Sequence, residues 1–532
     1  DQSRPVQFEQ AHGGDNTDIF CPMYMSQWHC EEYSKDASKQ KPLIQCEYSH
    51  AMGNSCGGFK EYWDLVRQYP KFQGGFIWDF VDQALHGKDA EGRAIYTYGG
   101  DYNTYDPSDN NFNCNGLVSP DRQPNPELYE VGYQYQNIWV TPVDILNGRI
   151  RVRNENFFRT LDDVYMEWTL LCDGIAVKRG TVDRLDCQPQ GTTEVTLPLG
   201  DLSAMGEYLL NIDFKLKKEE PLMEAGQTIA YEQLAVCGQQ PSSVNTQPLT
   251  DNRLSLSFDK PTGFINQYIV NGKSMLGEGG TLRPQFWRAV TDNDMGANLH
   301  KNNKVWRQPV LNLKSLRKGK RDKRTGAYTM TAVYDMPEVK ATLTLRYLIA
   351  PNGTITVTEQ MRTTAGERQP DMLRFGMVLQ MPYDMDHSRY YGRGPVENYN
   401  DRHLSQRVGI YEQTADEQFF PYVRPQETGT KSDIRWWRQT ASQGVGLRIE
   451  ADTLFSASAL HYAVEDLDEP GEWKAQRHSP QVPKSRYTNL SIDMVHAGVG
   501  GIDSWSEWGQ ALPPYRVPYQ DRTFTFRLIP IE

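Results

Sequence analysis

Apolar and polar positions follow two different patterns along this chain, and the change falls near residue 140. Before it, short apolar runs end in a carboxylate or an aromatic: RPVQFE (residues 4–9), PLIQCE (42–47) and GGFIWDF (74–80). Runs of this kind predict strands buried on both faces. Between the last two, Phe59, Tyr62, Trp63 and Val66 recur at helical spacing. That spacing predicts a helix over 54–69, with Asn54 as its N-cap and Pro70 as its stop. Strand, helix, strand with buried-type strands is the pattern of a parallel β/α fold. After residue 140 strict alternation takes over, as in Leu210, Ile212, Phe214 and Leu216, then Leu254, Leu256 and Phe258, then Leu343, Leu345 and Tyr347. Gly, Pro, Asn and Asp punctuate these runs and no long helical pattern follows, which predicts antiparallel sandwiches.

The polar stretch 238–251 (GQQPSSVNTQPLTD) reads as a linker. Three blocks result: a β/α portion over 1–138, a β-sandwich of about a hundred residues over 139–240, and a large all-β domain over 249–532. A length of 532 residues agrees with several domains.

Composition narrows the function classes. With 68 acidic against 56 basic residues the net charge is −12, which disfavours a general nucleic-acid binder. The one basic run, KSLRKGKRDKR (314–324), reads as a solvated hairpin or loop. No stretch reaches the roughly 18 apolar residues of a membrane helix, so no membrane partner is expected. Cys21, Cys30, Cys46, Cys56, Cys114, Cys172, Cys187 and Cys237 form no C-x-x-C pair. They read as free, mostly buried thiols, compatible with cytoplasm and with periplasm. The chain opens at Asp1 without a Met, which reads as a processed or truncated product whose address label could have been lost.

The stretch of greatest chemical interest is EYSHAMGNS (47–55). Glu47 closes an apolar strand, and strand carboxyl ends form the active-site face of a β/α barrel. Spacing alone leaves Glu47 as nucleophile, general acid, or a capping or ion-paired glutamate. A lone His50 is more often structural, a tryptophan in a buried strand such as Trp78 is usually core, and Trp505 could simply plug its Gly-rich turn.

CEYSHAMGNS (46–55), followed by QGGFIWDFVDQAL (73–85), resembles the nucleophile region of the long glycoside hydrolase family 2 β-galactosidases. RPVQFE, DIFCPMY (18–24), YGGDY (98–102) and FNCNGLV (112–118) are similar to the same family in order. So are FWRAVTDND (286–294), GRGPVENYNDR (392–402), PYVRPQETG (421–429) and GVGGIDSWS (498–506).

The resemblance implies the C-terminal part of a (β/α)8 barrel, then an immunoglobulin-like sandwich and a galactose-mutarotase-like β-supersandwich. It implies hydrolysis of terminal β-D-galactose from lactose-like β-galactosides by a retaining double displacement. Glu47 then resembles the nucleophile, and the family's acid/base glutamate would lie before Asp1, so that this chain alone is expected to be inactive. Tyr24 resembles the tyrosine that bonds the nucleophile, and His50 a histidine on the galactose hydroxyls. Trp78 resembles the floor of the galactose site, and Trp505 the tryptophan that stacks the aglycone. The Phe112 carbonyl and the Asn115 side chain resemble ligands of a sodium ion that binds the galactose 6-hydroxyl. A third sodium ligand and the magnesium ligands are expected upstream. The complete enzyme is expected to be a homo-oligomer.

Gly429 and the following 430–437 resemble a mobile loop beside the site, although the tandem Trp436-Trp437 departs from the family there. Glu9 falls on a family position without an assigned role. Asp292-Asn293-Asp294 lacks EF-hand spacing, GVGG lacks the dinucleotide-loop pattern, and Glu397 reads as structural. Two rival readings stand beside the galactosidase: another family 2 exo-glycosidase such as a β-glucuronidase, disfavoured by the HAMGNS turn, and a noncatalytic scaffold or complementing fragment.

Overall fold

The structure, a computed structural model, describes residues 3–202, 205–238, 253–468 and 475–531. In the first block a fan of parallel segments runs in chain order. Gln7 bridges Ile19, Phe20 bridges Leu43, and Met23 bridges Glu47, all parallel. Strand β1 (Leu43–Tyr48) then pairs in parallel with β2 (Phe72–Ile77). Val81 continues the arc by bridging Val118. Helices α1 (Gln27–Lys35) and α2 (Phe59–Gln68) form the crossovers and α3 (Pro126–Tyr135) closes the block. Leu43, Tyr48, Phe59, Tyr62, Phe72 and Val131 are the buried contacts that hold helices to strands.

Three expectations change here. RPVQFE holds only the single bridge at Gln7, and its end, Glu9–Ala11, turns into a 3-10 helix. A segment at the rim of the fan has one neighbour to pair with, so its ladder is short. The strand expected over 74–80 begins at Phe72 and ends at Ile77, and it is not buried on both faces: Phe76 and Phe80 are exposed. The helix starts at Phe59, five residues later than expected. Asn54 is no cap, because its side chain donates to the Tyr399 hydroxyl and the Glu427 carbonyl (2.9 and 2.8 Å), and Gly58 in the left-handed region (φ 72°) caps instead.

The second block is a sandwich of two antiparallel sheets. Ile138–Asp144, Arg149–Asn154 and Thr192–Thr196 form one. Thr228–Cys237, Tyr208–Leu216, Val164–Cys172 and Ile175–Val182 form the other. The alternating Leu210, Ile212 and Phe214 pack in its core, and Leu216 is buried as well. The linker expected over 238–251 lies, from 239 onward, outside the described residues.

The third block is one continuous fifteen-stranded sheet folded on itself. Its hinge is the strand Gly446–Leu460, whose first half pairs with Arg522–Ile531 and whose second half pairs with Tyr487–His496. The basic run forms the hairpin expected of it, with Asn312–Lys318 paired to Tyr328–Met336. Lys431–Thr440, expected to be a mobile loop, is instead a strand between His387–Gly394 and Gly446–Leu460. The tandem tryptophans explain the difference: Trp437 is buried and stacked on Tyr390 (4.7 Å, 10°), while Trp436 packs against Leu171, Leu209 and Tyr391. Among the described residues no helix is long and apolar enough to cross a membrane, and all eight cysteines are free, five of them buried.

Candidate active site

The site forms where the carboxyl ends of the parallel segments meet the far end of the third block. Tyr24 and Glu47 leave adjacent segments side by side: the Tyr24 amide donates to the Glu47 carbonyl at 2.8 Å. Their side chains also meet. Burial, the hydrogen bond to Glu47 and the charge of that carboxylate together push the Tyr24 phenol above its ordinary range, so it is a proton donor at neutral pH. Tyr24 and Ser49 both adopt left-handed backbone (φ 49° and 51°), which turns the chain sharply across the mouth of the fan.

After Ser49 the turn 50–58 is clamped by the third block. The His50 amide donates to the Ile502 carbonyl, Gly57 to Gly500 (2.7 Å) and Gly58 to Asp401 (2.9 Å). Gln426 Oε1 accepts from the Asn54 amide, and Arg402 donates to the Ser55 carbonyl. Asp401 in turn accepts from the amides of Val499 and Gly500. The glycines are required by this closeness. A Cβ on Gly53 would stand 2.4 Å from Gln426, and one on Gly57 2.0 Å from Asp401.

The clamp delivers Trp505. Its indole sits edge-on to Tyr24 (4.7 Å, 90°) and to His50 (5.2 Å, 75°), with Phe112 at 5.9 Å. It is 42 % exposed, so it is not packed away inside its own turn. Asp503 holds that turn by accepting from the amides of Trp505 and Ser506. His50 is buried among these rings. Burial lowers its pKa to about 3, with the Asp79 charge acting in the opposite direction, so the imidazole is neutral. Its Nδ1 lies 2.7 Å from Ser504 Oγ and its Nε2 3.4 Å from Asn115 Nδ2.

Trp78 stands on the same rim: its carbonyl accepts from the Ala51 amide, and the Asp79 amide donates to the Asn115 carbonyl. At 40 % exposure its ring belongs to the surface, not to the core. Asn115 Nδ2 donates to the Phe112 carbonyl at 2.9 Å, while Asn115 Oδ1 is buried and has no hydrogen-bond partner. An orphaned amide oxygen beside a backbone carbonyl is a donor set that fits a hard monovalent cation. Among the described residues no group of three or more His, Cys, Asp or Glu side chains is placed to hold a metal.

The structure therefore brings together Tyr24, Glu47, His50, Phe112, Asn115 and Trp505, with Trp78 on the rim. Glu397 lies elsewhere, its carboxylate filled by Tyr422, Thr428, Arg402 and the Gly429 amide. The DND triplet is no cation loop: Thr291 caps a short helix, Asp294 pairs with buried Arg288, and Asn293 reaches Ser504 at 2.7 Å. Ser504 and Asn293 are the residues that sequence reasoning missed. No local signal marks them, because each is defined by a partner far along the chain.

A parallel β/α fan with a carboxylate and aromatic rings at its strand ends is the catalytic architecture of a glycoside hydrolase barrel, and residues 1–140 match the family described as glycosyl hydrolases family 2, TIM barrel domain. Residues 150–237 match β-galactosidase domain 4, and residues 250–528, more than half of the chain, match the β-galactosidase small chain. The chain belongs to the β-galactosidase family within glycoside hydrolase family 2. A β-galactosidase of Priestia megaterium is 33 % identical over 100 % of this chain and 52 % of that protein. One of Photobacterium profundum is 31 % identical over 99 % and 54 %, and one of Vibrio cholerae 33 % over 95 % and 51 %. The chain spans about half the length of these curated relatives.

Proposed function

We propose that this chain supplies the nucleophile half of a retaining β-galactosidase acting on lactose-like β-D-galactosides. The observation that carries the reading is the pairing of Tyr24 with Glu47 at adjacent segment ends, the Tyr24 amide on the Glu47 carbonyl, with the Tyr24 ring edge-on to His50 and Trp505. In the first step a Glu47 oxygen attacks the anomeric carbon, the bond to the aglycone oxygen breaks, and a second carboxyl group protonates that oxygen. In the second step water attacks the same carbon, gives its proton to that second carboxylate, and Glu47 departs as a carboxylate. Tyr24 donates a hydrogen bond to Glu47 and so stabilises it as the leaving group. Trp78 offers an apolar face to the C–H side of galactose, and Trp505 one to the aglycone.

A retaining pair stands about 5–5.5 Å apart. The second carboxyl group of this reading comes from a segment outside these 532 residues, as do the magnesium ligands. On this reading the 532-residue chain alone should not hydrolyse lactose. Sodium, held by the Phe112 carbonyl and Asn115 Oδ1, would bind and orient the galactose 6-hydroxyl. The second block is read as immunoglobulin-like, on its seven strands in two sheets. The third is read as mutarotase-like, on its folded continuous sheet. The complete enzyme is read as a homo-oligomer.

The test is Glu47→Gln in the chain joined by the portion that completes its barrel. Turnover of an aryl galactoside should fall by several orders of magnitude, because the covalent route is lost. Retention of a tenth or more of the activity would reject Glu47 as nucleophile. A second reading rests on the matched length: as half of a longer protein, the chain is a complementing partner that restores activity to the other half. Lactose hydrolysis by the lone chain would contradict both.

A further inference from the structure

We infer that Ser504 and Asn293 form a hydrogen-bond relay that fixes His50 as the Nδ1–H tautomer, leaving Nε2 as an acceptor toward the sugar site. The inference rests on the galactosidase reading for what that acceptor binds, but the relay itself stands on geometry alone. It begins at the Val499 carbonyl, which can only accept. Asn293 Nδ2 lies 3.2 Å from it, and this settles which end of the amide is nitrogen. Asn293 Oδ1 therefore faces Ser504 Oγ, at 2.7 Å, and takes the single proton the hydroxyl has. Ser504 Oγ has only lone pairs left for His50 Nδ1, also at 2.7 Å. The imidazole must supply that proton. With Nδ1 supplying that proton, the ring's acceptor position is left to Nε2.

A second observation agrees without sharing any atom of that chain. The Phe112 carbonyl, another pure acceptor, orients the Asn115 amide so that Nδ2 faces His50 Nε2 at 3.4 Å. A nitrogen donor pointed at Nε2 matches an acceptor there. At 3.4 Å the contact is long, so the lone pair is available to a shorter donor. Sugar hydroxyls are such donors. Ser504 and Asn293 are fully buried, so the relay is shielded from competing water.

Both act through His50 and are positioning residues. They also give the third block a chemical part in the site, because Val499, Asn293 and Ser504 all belong to it while His50 belongs to the barrel. Without the relay the ring would be free to protonate at Nε2, and a donor would face the hydroxyl in place of an acceptor.

The direct experiment is ring-15N histidine NMR on the 532-residue chain, with the His50 signal identified by its loss in His50→Gln. The expected result is a proton on Nδ1 and a bare Nε2. Ser504→Ala should shift the ring toward the tautomer mixture of a free imidazole, and Ser504→Thr, which keeps the hydroxyl, should restore Nδ1–H. A proton on Nε2 in the unmodified chain overturns the relay, as does an unchanged tautomer in Ser504→Ala. In the assembly with the barrel-completing portion, Ser504→Ala should weaken galactose inhibition about threefold to tenfold, the scale of one hydrogen bond. The same variant should lose discrimination against only one of the mono-deoxygalactoses, which a general loosening of the fold would not do. Unchanged discrimination across that series overturns the acceptor role. If the assembly hydrolyses no galactoside while Nδ1–H is found, the relay is upheld and the proposed function fails.

Discussion

Glu47 could be picked out because it closes a short apolar run, whereas Tyr24 was named only by the family resemblance, and the parallel register places the two segment ends side by side. Ser504 and Asn293 were not legible. Their hydrogen bonds span 454 and 211 residues, and nothing local to either motif announces the other. Trp505, which the family resemblance placed on the aglycone side, lies edge-on to Tyr24 and His50. Trp505→Ala should cost glucose acceptor binding about 1–3 kcal/mol, the scale of a lost aromatic contact. It should also cost galactose inhibition a smaller amount. Equal losses for the two sugars would remove the aglycone assignment. At the clamp, burial raises the pKa of Asp401 from 3.8 to about 6, against the opposing amide bonds of Gly500 and Val499. A raised carboxyl pKa contributes stability that is complete below pH 3.8 and is lost as pH rises through about 6. The advantage of the wild type over Asp401→Asn in urea denaturation should therefore shrink as pH rises from about 4 to about 6.5. A gap that widens over that range would contradict the titration.

Elements whose side chains face their own neighbours were read well from pattern alone. The alternating strands of the second and third blocks and the basic hairpin appear where the period-two runs placed them. Two of the misplacements come from contacts distant in sequence, which no local pattern carries. Asn54 has the composition of an N-cap, yet Tyr399 and Glu427 claim its amide, so α2 begins after Gly58. The segment after Gly429 has the Gly-led start of a loop, yet two tryptophans with apolar partners on both faces hold it in a sheet. The same inter-block closeness makes Gly57 irreplaceable. Gly57→Ala would place a methyl group 2.0 Å from Asp401 Oδ2 and 2.8 Å from the Gly500 amide. Overpacking of that kind costs about 1–3 kcal/mol. The expected outcome is a lower melting temperature together with exposure of the 498–502 turn to proteolysis; an unchanged melting temperature would mean that the clamp yields easily.

At the scale of the whole molecule, the large β domain packs directly on the candidate site. Its turn at 498–506 and its Asn293 helix enclose the barrel turn that follows Glu47, and its tryptophan lies edge-on to His50. The change in periodicity near residue 140 and the polar stretch 238–251 suggested three blocks. Their mutual arrangement could not be read, because it depends on buried polar contacts such as Arg402 with Ser55 and Asp401 with Gly57 and Gly58, which carry no period. The central claim is that this assembly presents Glu47 as a nucleophile. The most direct measurement is labelling with a 2-deoxy-2-fluoro-galactoside bearing an activated leaving group, which needs little acid assistance, on the chain joined by the portion that completes its barrel. Peptide mapping should place the fluoro-sugar on the Glu47 side chain, with no labelling of Glu47→Gln. A stable adduct on any other carboxylate would contradict the account.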